Sequence, residues 1–479
     1  MHAKEDGHRC YKANTYSPED LPAHQNILGA LASLCLSALL ETSMAPHPLT
    51  FSVRRCEPVL VAPAEPTPHE FKGLSDLDVQ KGARYQISGI WFYQARNAEP
   101  GGDAVDPATA IKDALSRALV YYYPFAGRIR GDTGGGKPVM ECTGEGVLFV
   151  EADADVRLEQ FGDTILPPIP CAEELLQNVE GSEGVTRLLC GGFAMAVRLN
   201  HVISDAPGLF QFLRATAELA RGAPRLTLLP VWKRELLDAR DPPQVTYAHH
   251  EFDEELEDLA EQDVESLLRT FFFRREDVAA LRRRLPEDLQ SSTTFDVLTA
   301  CIWKSRVAAL RLDPERRVRG LFIMTGHRRY PTLVPQGFYG NSFAHPAAMC
   351  TAGELCGSSL GDVIRMVRKA KSEMSEEYLR SQADLLAVRG WPSFTTSTGS
   401  VIFSDLRQLG LRDVDFGWGQ AVFTTPLNVI GAGTFYVPYR NCKGEAGIAV
   451  VLRLPAPAMD RFAGEIELMM EEGPEVPEL

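Results

Sequence analysis

The 479-residue chain has no C-x-x-C pair, no H-E-x-x-H and no histidine beyond residue 350. Each absence closes a class of function. Its ten cysteines are scattered, so neither a zinc pattern nor a disulfide framework is present, and reduced thiols in a cytoplasmic compartment are expected. His249-His250-Glu251 is the densest donor cluster, and no metal is expected. Gly357-Ser358-Ser359-Leu360-Gly361 has the G-x-S-x-G spacing of a hydrolase nucleophile, but that order needs a later histidine. Ser358 or Ser359 is better read as the N-cap of a following helix, with Asp362 in its first turn.

Positive charge is also scarce. A net charge of -15 excludes non-specific nucleic-acid binding, which needs a basic footprint. The one basic stretch runs from 269 to 330, with 14 Lys and Arg against 7 acids. It could hold a phosphorylated cofactor, although arginines on solvated helix faces are the commoner explanation. No long membrane run exists: the 14 apolar residues Ile27 to Leu40 are too few to span a bilayer. They follow Glu5, Asp6, Glu19 and Asp20, which suits neither a secretory signal nor an Arg-rich transit peptide. Residues 1–43 are therefore read as an extension outside the fold, and no membrane association is expected. Gly131 to Lys137 imitates a phosphate loop up to Pro138, where a magnesium-binding hydroxyl should stand, and reads as a Gly-rich hairpin turn.

What is present is a mixture of strand and helix patterns. Strands are expected at Leu49–Arg55, Gln86–Tyr93, residues 191–200, Leu321–Thr325, Ser400–Ser404, Gly433–Tyr439 and Gly447–Arg453. Val139–Cys142 and Gly146–Ala152 read as a hairpin. Helical periodicity marks Ala110–Leu119, Arg275–Arg284, Phe295–Leu310, one long helix Leu360–Arg380 and a last helix near Ala458. Residues 223–262 are rich in Pro and then in acid, as in a crossover linker. The expectation is an α/β architecture of two domains, 44–222 and 263–479, joined by that linker.

One constellation carries chemistry. His201-Val202-Ile203-Ser204-Asp205, followed by Ala206-Pro207-Gly208, stands where a strand-like run becomes a helix. His2 to Asp6 and His249 to Asp253 share the H-x-x-x-D spacing. The first lies in a polar tail and the second opens an acidic run, so a solvated surface histidine is the expectation for both. His201 closes a buried strand, where a neutral imidazole can act as general base.

Tyr122-Tyr123-Pro124-Phe125-Ala126-Gly127-Arg128, the His201–Asp205 box and the late Asp415-Phe416-Gly417-Trp418-Gly419 together resemble the plant BAHD acyltransferases, over about Leu49 to Leu468. Pro168 to Leu176 and Pro455 to Met459 look most like the branch holding benzyl alcohol benzoyltransferases and taxane acyltransferases. The resemblance implies two chloramphenicol-acetyltransferase-like domains, with mixed β-sheets flanked by helices and a solvent channel between them. It implies no permanently bound cofactor. Acyl-CoA would be co-substrate and a small alcohol, or an amine, the acceptor, in a protein acting as a monomer.

His201 would be the general base, with no acyl-enzyme, and Asp205 an orienting residue. The Asp415, Phe416, Gly417, Trp418 and Gly419 loop would be structural. Asn341, Ser404 or backbone N–H groups are candidates for the oxyanion donor. Family members place an Arg beneath the box aspartate; here His327 stands at that position and Arg328 beside it, and either could pair with Asp205. A non-catalytic binding protein of the same fold is the alternative reading that this departure raises.

Overall fold

The computed structural model describes residues 49–96, 105–131, 136–176, 182–253, 266–392, 398–427 and 432–471. The expectations placed on His2 and on Ile27 to Leu40 lie outside them. Leu49–Leu479 form one compact unit, built around two large mixed sheets. The first runs in the order Val53–Arg55, Val147–Ala154, Ser182–Leu188, Phe193–Asn200, Gln86–Tyr93, Phe423–Pro426, with Val59–Val61 also on Val147–Ala154. The second runs Ser266–Arg274, Ala446–Pro455, Gly433–Arg440, Ser400–Asp405, Arg317–Phe322, Ala347–Thr351. Parallel pairs occur in both, Val147–Ala154 with Ser182–Leu188 in the first and Ser400–Asp405 with two neighbours in the second. The fold is α/β with mixed sheets flanked by helices.

Gln86–Tyr93 has a strand on each side and is covered on both faces, which is why its Ile90-Trp91-Phe92-Tyr93 end is wholly apolar. Helix Pro107–Tyr121 starts where Asp106 accepts from the Thr109 N–H at 3.0 Å and Pro107 fills the first turn. Helix Ala206–Ala220 repeats the device: Asp205 is its N-cap, and Leu209, Phe210, Phe212, Leu213, Ala217 and Leu219 turn inward onto the first sheet. Each large side chain so buried stabilises by roughly 1.5–3 kcal/mol over leaving it exposed. Gly222, at φ +84°, terminates it in the left-handed region that glycine enters at least cost. Ser359 caps Leu360–Ser372, with Asp362 in the first turn.

Four expectations need correction. Val139–Glu141 and Val147–Ala154 do not form a hairpin; the former pairs with Phe71–Gly73 and Arg128–Arg130 in a separate small sheet. Arg128–Arg130 and Val139–Glu141, on either side of the Gly-rich stretch, do pair antiparallel. The long helix Leu360–Arg380 is two, Leu360–Ser372 and Glu376–Val388, because the Ser375 hydroxyl accepts from the Tyr378 N–H and starts a new N-terminus. Strands Ser182–Leu188, Ser266–Arg274 and Phe423–Pro426 escape the sequence patterns. The last of these leaves the C-terminal half to become the edge of the first sheet, beside Gln86–Tyr93. Finally, His249 is buried rather than solvated, 2% exposed. The described part of the linker, residues 223–253, packs Leu237 and Phe252 with Leu379 and Leu386 of helix Glu376–Val388 in one apolar cluster, so that part is a folded strap.

Candidate active site

His201 is the first residue past strand Phe193–Asn200, and its N–H donates to the Tyr85 carbonyl at 2.9 Å, which extends the sheet ladder by one step. Tyr85 and Phe343 flank the imidazole, ring centroids 5.3 and 5.4 Å away. Its Nδ1 lies 2.9 Å from Asn341 Oδ1. The Asn341 amide can be assigned from its surroundings, since its Nδ2 faces three oxygens: Asp78 Oδ1 at 2.8 Å, the His201 carbonyl at 2.8 Å and the Val202 carbonyl at 3.2 Å. Oδ1 must then accept, Nδ1–H must donate, and the lone pair of His201 is on Nε2. Burial holds the imidazole below its ordinary pKa of 6.5, against smaller opposing effects of its hydrogen bonds and of Asp205 and Asp78. At neutral pH His201 is thus an uncharged base with one nitrogen fixed and the other available.

Sequence reasoning missed what holds Asn341. Asp78, fully buried, accepts from the Asn341 N–H at 3.0 Å and pairs with Arg234 at 2.7 Å; its second oxygen accepts from the Ser75 N–H and hydroxyl. Arg234 also donates to the Ile203 carbonyl at 2.7 Å, inside the box loop, and lies over the Trp232 ring at 4.3 Å. A Cβ on Gly340 would come within 2.5 Å of that guanidinium, and one on Gly208 within 2.3 Å of the Tyr339 carbonyl. Both glycines are demanded by close approach. The usable local signals were an acid set among Leu74, Leu77 and Val79, and an arginine two residues after Trp232.

Asp205 makes no hydrogen bond to His201. Its oxygens accept from the Gly208 N–H at 3.0 Å and the Ser342 N–H at 3.2 Å, and lie 3.2 Å from His327 Nε2. Burial opposes ionisation of the carboxyl, but His327 and these N–H groups outweigh it and hold Asp205 below the usual range. Burial likewise disfavours the His327 cation, and Asp205 outweighs it, so His327 is raised above 6.5. His327 is therefore the neighbour of Asp205; Arg328, at φ +61°, is exposed.

A cavity of ≈ 360 Å³ opens beside His201, walled by Tyr85, Trp91, Ile323, Phe343 and Ile402 among others. Ser404 lies in this wall, 6% exposed. Asn341 does not: its amide hydrogens are already committed to Asp78 and two carbonyls, so it positions the imidazole and is no oxyanion donor. His345 also lines the cavity, its pKa pushed down to about 3 by burial and by His201 and Arg319, which keeps it uncharged.

The Asp415–Gly419 loop is elsewhere. Asp415 Oδ1 accepts from the N–H groups of Gly417 and Gly419, both at 2.8 Å, and the two glycines sit at φ +107° and +83°. Phe416 packs on Tyr93 and Trp418 on Phe193, at 5.9 and 5.4 Å. None of the five lines the cavity. The loop fastens C-terminal chain to the first sheet.

The model of the Transferase family matches residues 51–469. Benzyl alcohol O-benzoyltransferase of Petunia hybrida is 48% identical over 441 residues, 88% of this chain and 95% of that one. Among solved structures, vinorine synthase superposes with a TM-score of 0.67 at 21% identity, covering 87% of this chain and 98% of its own. TRI101 of F. sporotrichioides, complexed with coenzyme A and T-2, gives 0.64 at 16%, covering 83% and 98%.

Proposed function

This chain belongs to the Transferase family, the BAHD acyltransferases, and from that membership we propose that it moves an acyl group, benzoyl, acetyl or similar, from acyl-CoA to the hydroxyl of a small alcohol. The observation that carries the mechanism is the pairing of a pinned Nδ1 with an uncommitted Nε2 on a neutral, cavity-lining His201. Nε2 removes the acceptor's hydroxyl proton as its oxygen attacks the thioester carbonyl. The tetrahedral intermediate carries its charge on the former carbonyl oxygen, and Ser404, whose residue lines the same cavity, is the side-chain donor we assign to it; such a donor is worth about 3–4 kcal/mol. Collapse expels the CoA thiolate, which takes the proton from His201. Ester and free CoA leave, and no acyl-enzyme forms.

Asp205 acts as cap and tether, joining the helix that follows the box to His327. That ion pair supports catalysis over the reading as an inactive binder, because the arginine's usual place is filled by a group that does the same electrostatic work. The division into 44–222 and 263–479 about a 223–262 crossover fits the two sheets, with Phe423–Pro426 reaching across it. Free cysteines throughout the described residues accord with a cytoplasmic enzyme. Among the described residues no helix is long and apolar enough to cross a membrane. We assign a monomer, since His201, the groups that hold it and the cavity beside it all belong to one chain.

Mass-spectrometric profiling with benzoyl-, acetyl- and longer acyl-CoAs against mixed alcohols and amines tests this. Esters should form, dependent on both partners. Free acid without acceptor would mean a hydrolase, amides alone an N-acyltransferase, and no thioester consumption a binding protein.

A further inference from the structure

A second cavity, of ≈ 290 Å³, lies against the first sheet, and Leu209 lines both it and the catalytic cavity. Its wall is largely apolar, with Phe125, Val147, Val197 and Phe212, and Leu60, 53% exposed, brings it to the surface. Among the described residues the one acid in that wall is Glu183, opposite Val197 in the sheet register. Glu183 is only 5% exposed, and its Oε2 has no hydrogen-bond partner. Two other charged groups line the cavity, Arg128 and Arg198; Arg128 is engaged by Glu145 at 3.0 Å. Neither compensates the carboxyl. Burial alone pushes it up to about 8, so it holds its proton at neutral pH. Native interiors keep few such unsatisfied groups, and one placed in the wall of an apolar cavity marks a ligand site.

We propose that this cavity binds a small primary amine with an apolar body, whose ammonium pairs with the Glu183 carboxylate. The walls suit a ring with one or two methylenes, and the acid among the described wall residues, Glu183, keeps a buried oxygen without a hydrogen-bond partner. An alcohol could accept the acid's proton in a hydrogen bond, but only a cation stabilises the ionised form in so dry a setting. On binding at pH 7 the carboxyl releases its proton to solvent while the ammonium keeps its own, so one proton is liberated per ligand. Affinity consequently rises with pH until the carboxyl ionises unaided, at about 8.

Titration calorimetry of the full chain with benzylamine at pH 7, in two buffers of different ionisation heat, reads this out. Saturable binding with close to one proton released is expected. Glu183→Gln should weaken it at least tenfold and abolish the release, while His201→Ala changes neither; toluene should bind wild type and Glu183→Gln alike. Equal benzylamine affinity in Glu183→Gln, loss of binding in His201→Ala, or no saturable binding at all, as for a cavity holding only water, would overturn the proposal. The proton release is measured on unaltered protein, so it stands even if the variant folds poorly.

Discussion

Of the three histidines that open an H-x-x-x-D spacing in this chain, His201 and His249 lie among the described residues and both meet hydrogen-bonding partners, yet only His201 keeps a ring nitrogen uncommitted beside a cavity. His249 has the outward form of a hydrolase triad: Nδ1 lies 3.0 Å from Glu251 and Nε2 2.8 Å from the Ser381 hydroxyl. Every bond there is spent. Ser381 accepts from the N–H groups of Thr246 and Tyr247, so its own hydrogen goes to Nε2, and Glu251 also accepts from the Tyr378 hydroxyl. Neither cavity touches the cluster. His201 has the opposite condition, one nitrogen pinned to Asn341 and the other left to a cavity of ≈ 360 Å³. Resemblance to a catalytic constellation is thus a weaker guide than an unfinished one. The saturated histidine fastens the linker to helix Glu376–Val388, and the unsaturated one is the base we propose.

Exchanging each histidine for alanine should separate the roles. His201→Ala removes the proposed general base and should lower kcat/KM by about 10³- to 10⁴-fold, with thermal stability nearly retained. Next in size, Asp78→Asn strips a fully buried arginine of its counter-charge and should cost about 3–5 kcal/mol in chemical denaturation. Its surviving folded fraction should lose kcat more than KM, because Asn341 no longer holds the imidazole. A loss in KM alone would detach Asp78 from His201. His249→Ala should cost about 2–4 kcal/mol, since it strands Glu251 and Ser381, while kcat per folded molecule stays within about threefold. A large fall in kcat with unchanged stability would erase the contrast between the two boxes.

The smallest effect concerns the pair His327 and Asp205. His327 is raised, so its share of stability is complete below pH 6.5 and fades as pH climbs through its folded value; Asp205 is lowered, so its share is complete above pH 3.8 and is lost only as pH falls through its folded value. His327→Phe should therefore be less stable than wild type by on the order of 1 kcal/mol between these limits, with the gap closing as pH rises through the folded value of His327. A gap that is flat with pH would mean that the pair contributes by packing alone.

Local pattern read well wherever one element decided the outcome. The strand ending at His201 and the Ser359 cap both depend on residues within one turn of each other. What was hidden is tertiary. Asn341 looked like an oxyanion donor because nothing local reveals that its amide is consumed by Asp78, 263 residues away. Asp78 and Arg234 lie in stretches without catalytic spacing, and their pairing exists only after the linker folds back. The acidic run after His249 suggested solvent, whereas Tyr378 and Ser381 cover that histidine from a helix more than 120 residues downstream. Phe423–Pro426 is a four-residue strand whose partner is in the other half of the chain, so no periodicity could have marked it. The long helix divides because one serine, Ser375, competes for the backbone, a choice that apolar spacing does not register.

The tautomer of His201 is what distinguishes the reactive box from the saturated one, and ¹⁵N resonances of histidine-labelled protein near pH 7.5, assigned through the signals lost in His201→Ala, report it. A His201 ring with its proton on Nδ1 and a bare Nε2, turning cationic only below pH 6.5, is the expected spectrum. A proton on Nε2, or an imidazolium persisting above pH 7, would contradict the assignment of His201 as the base.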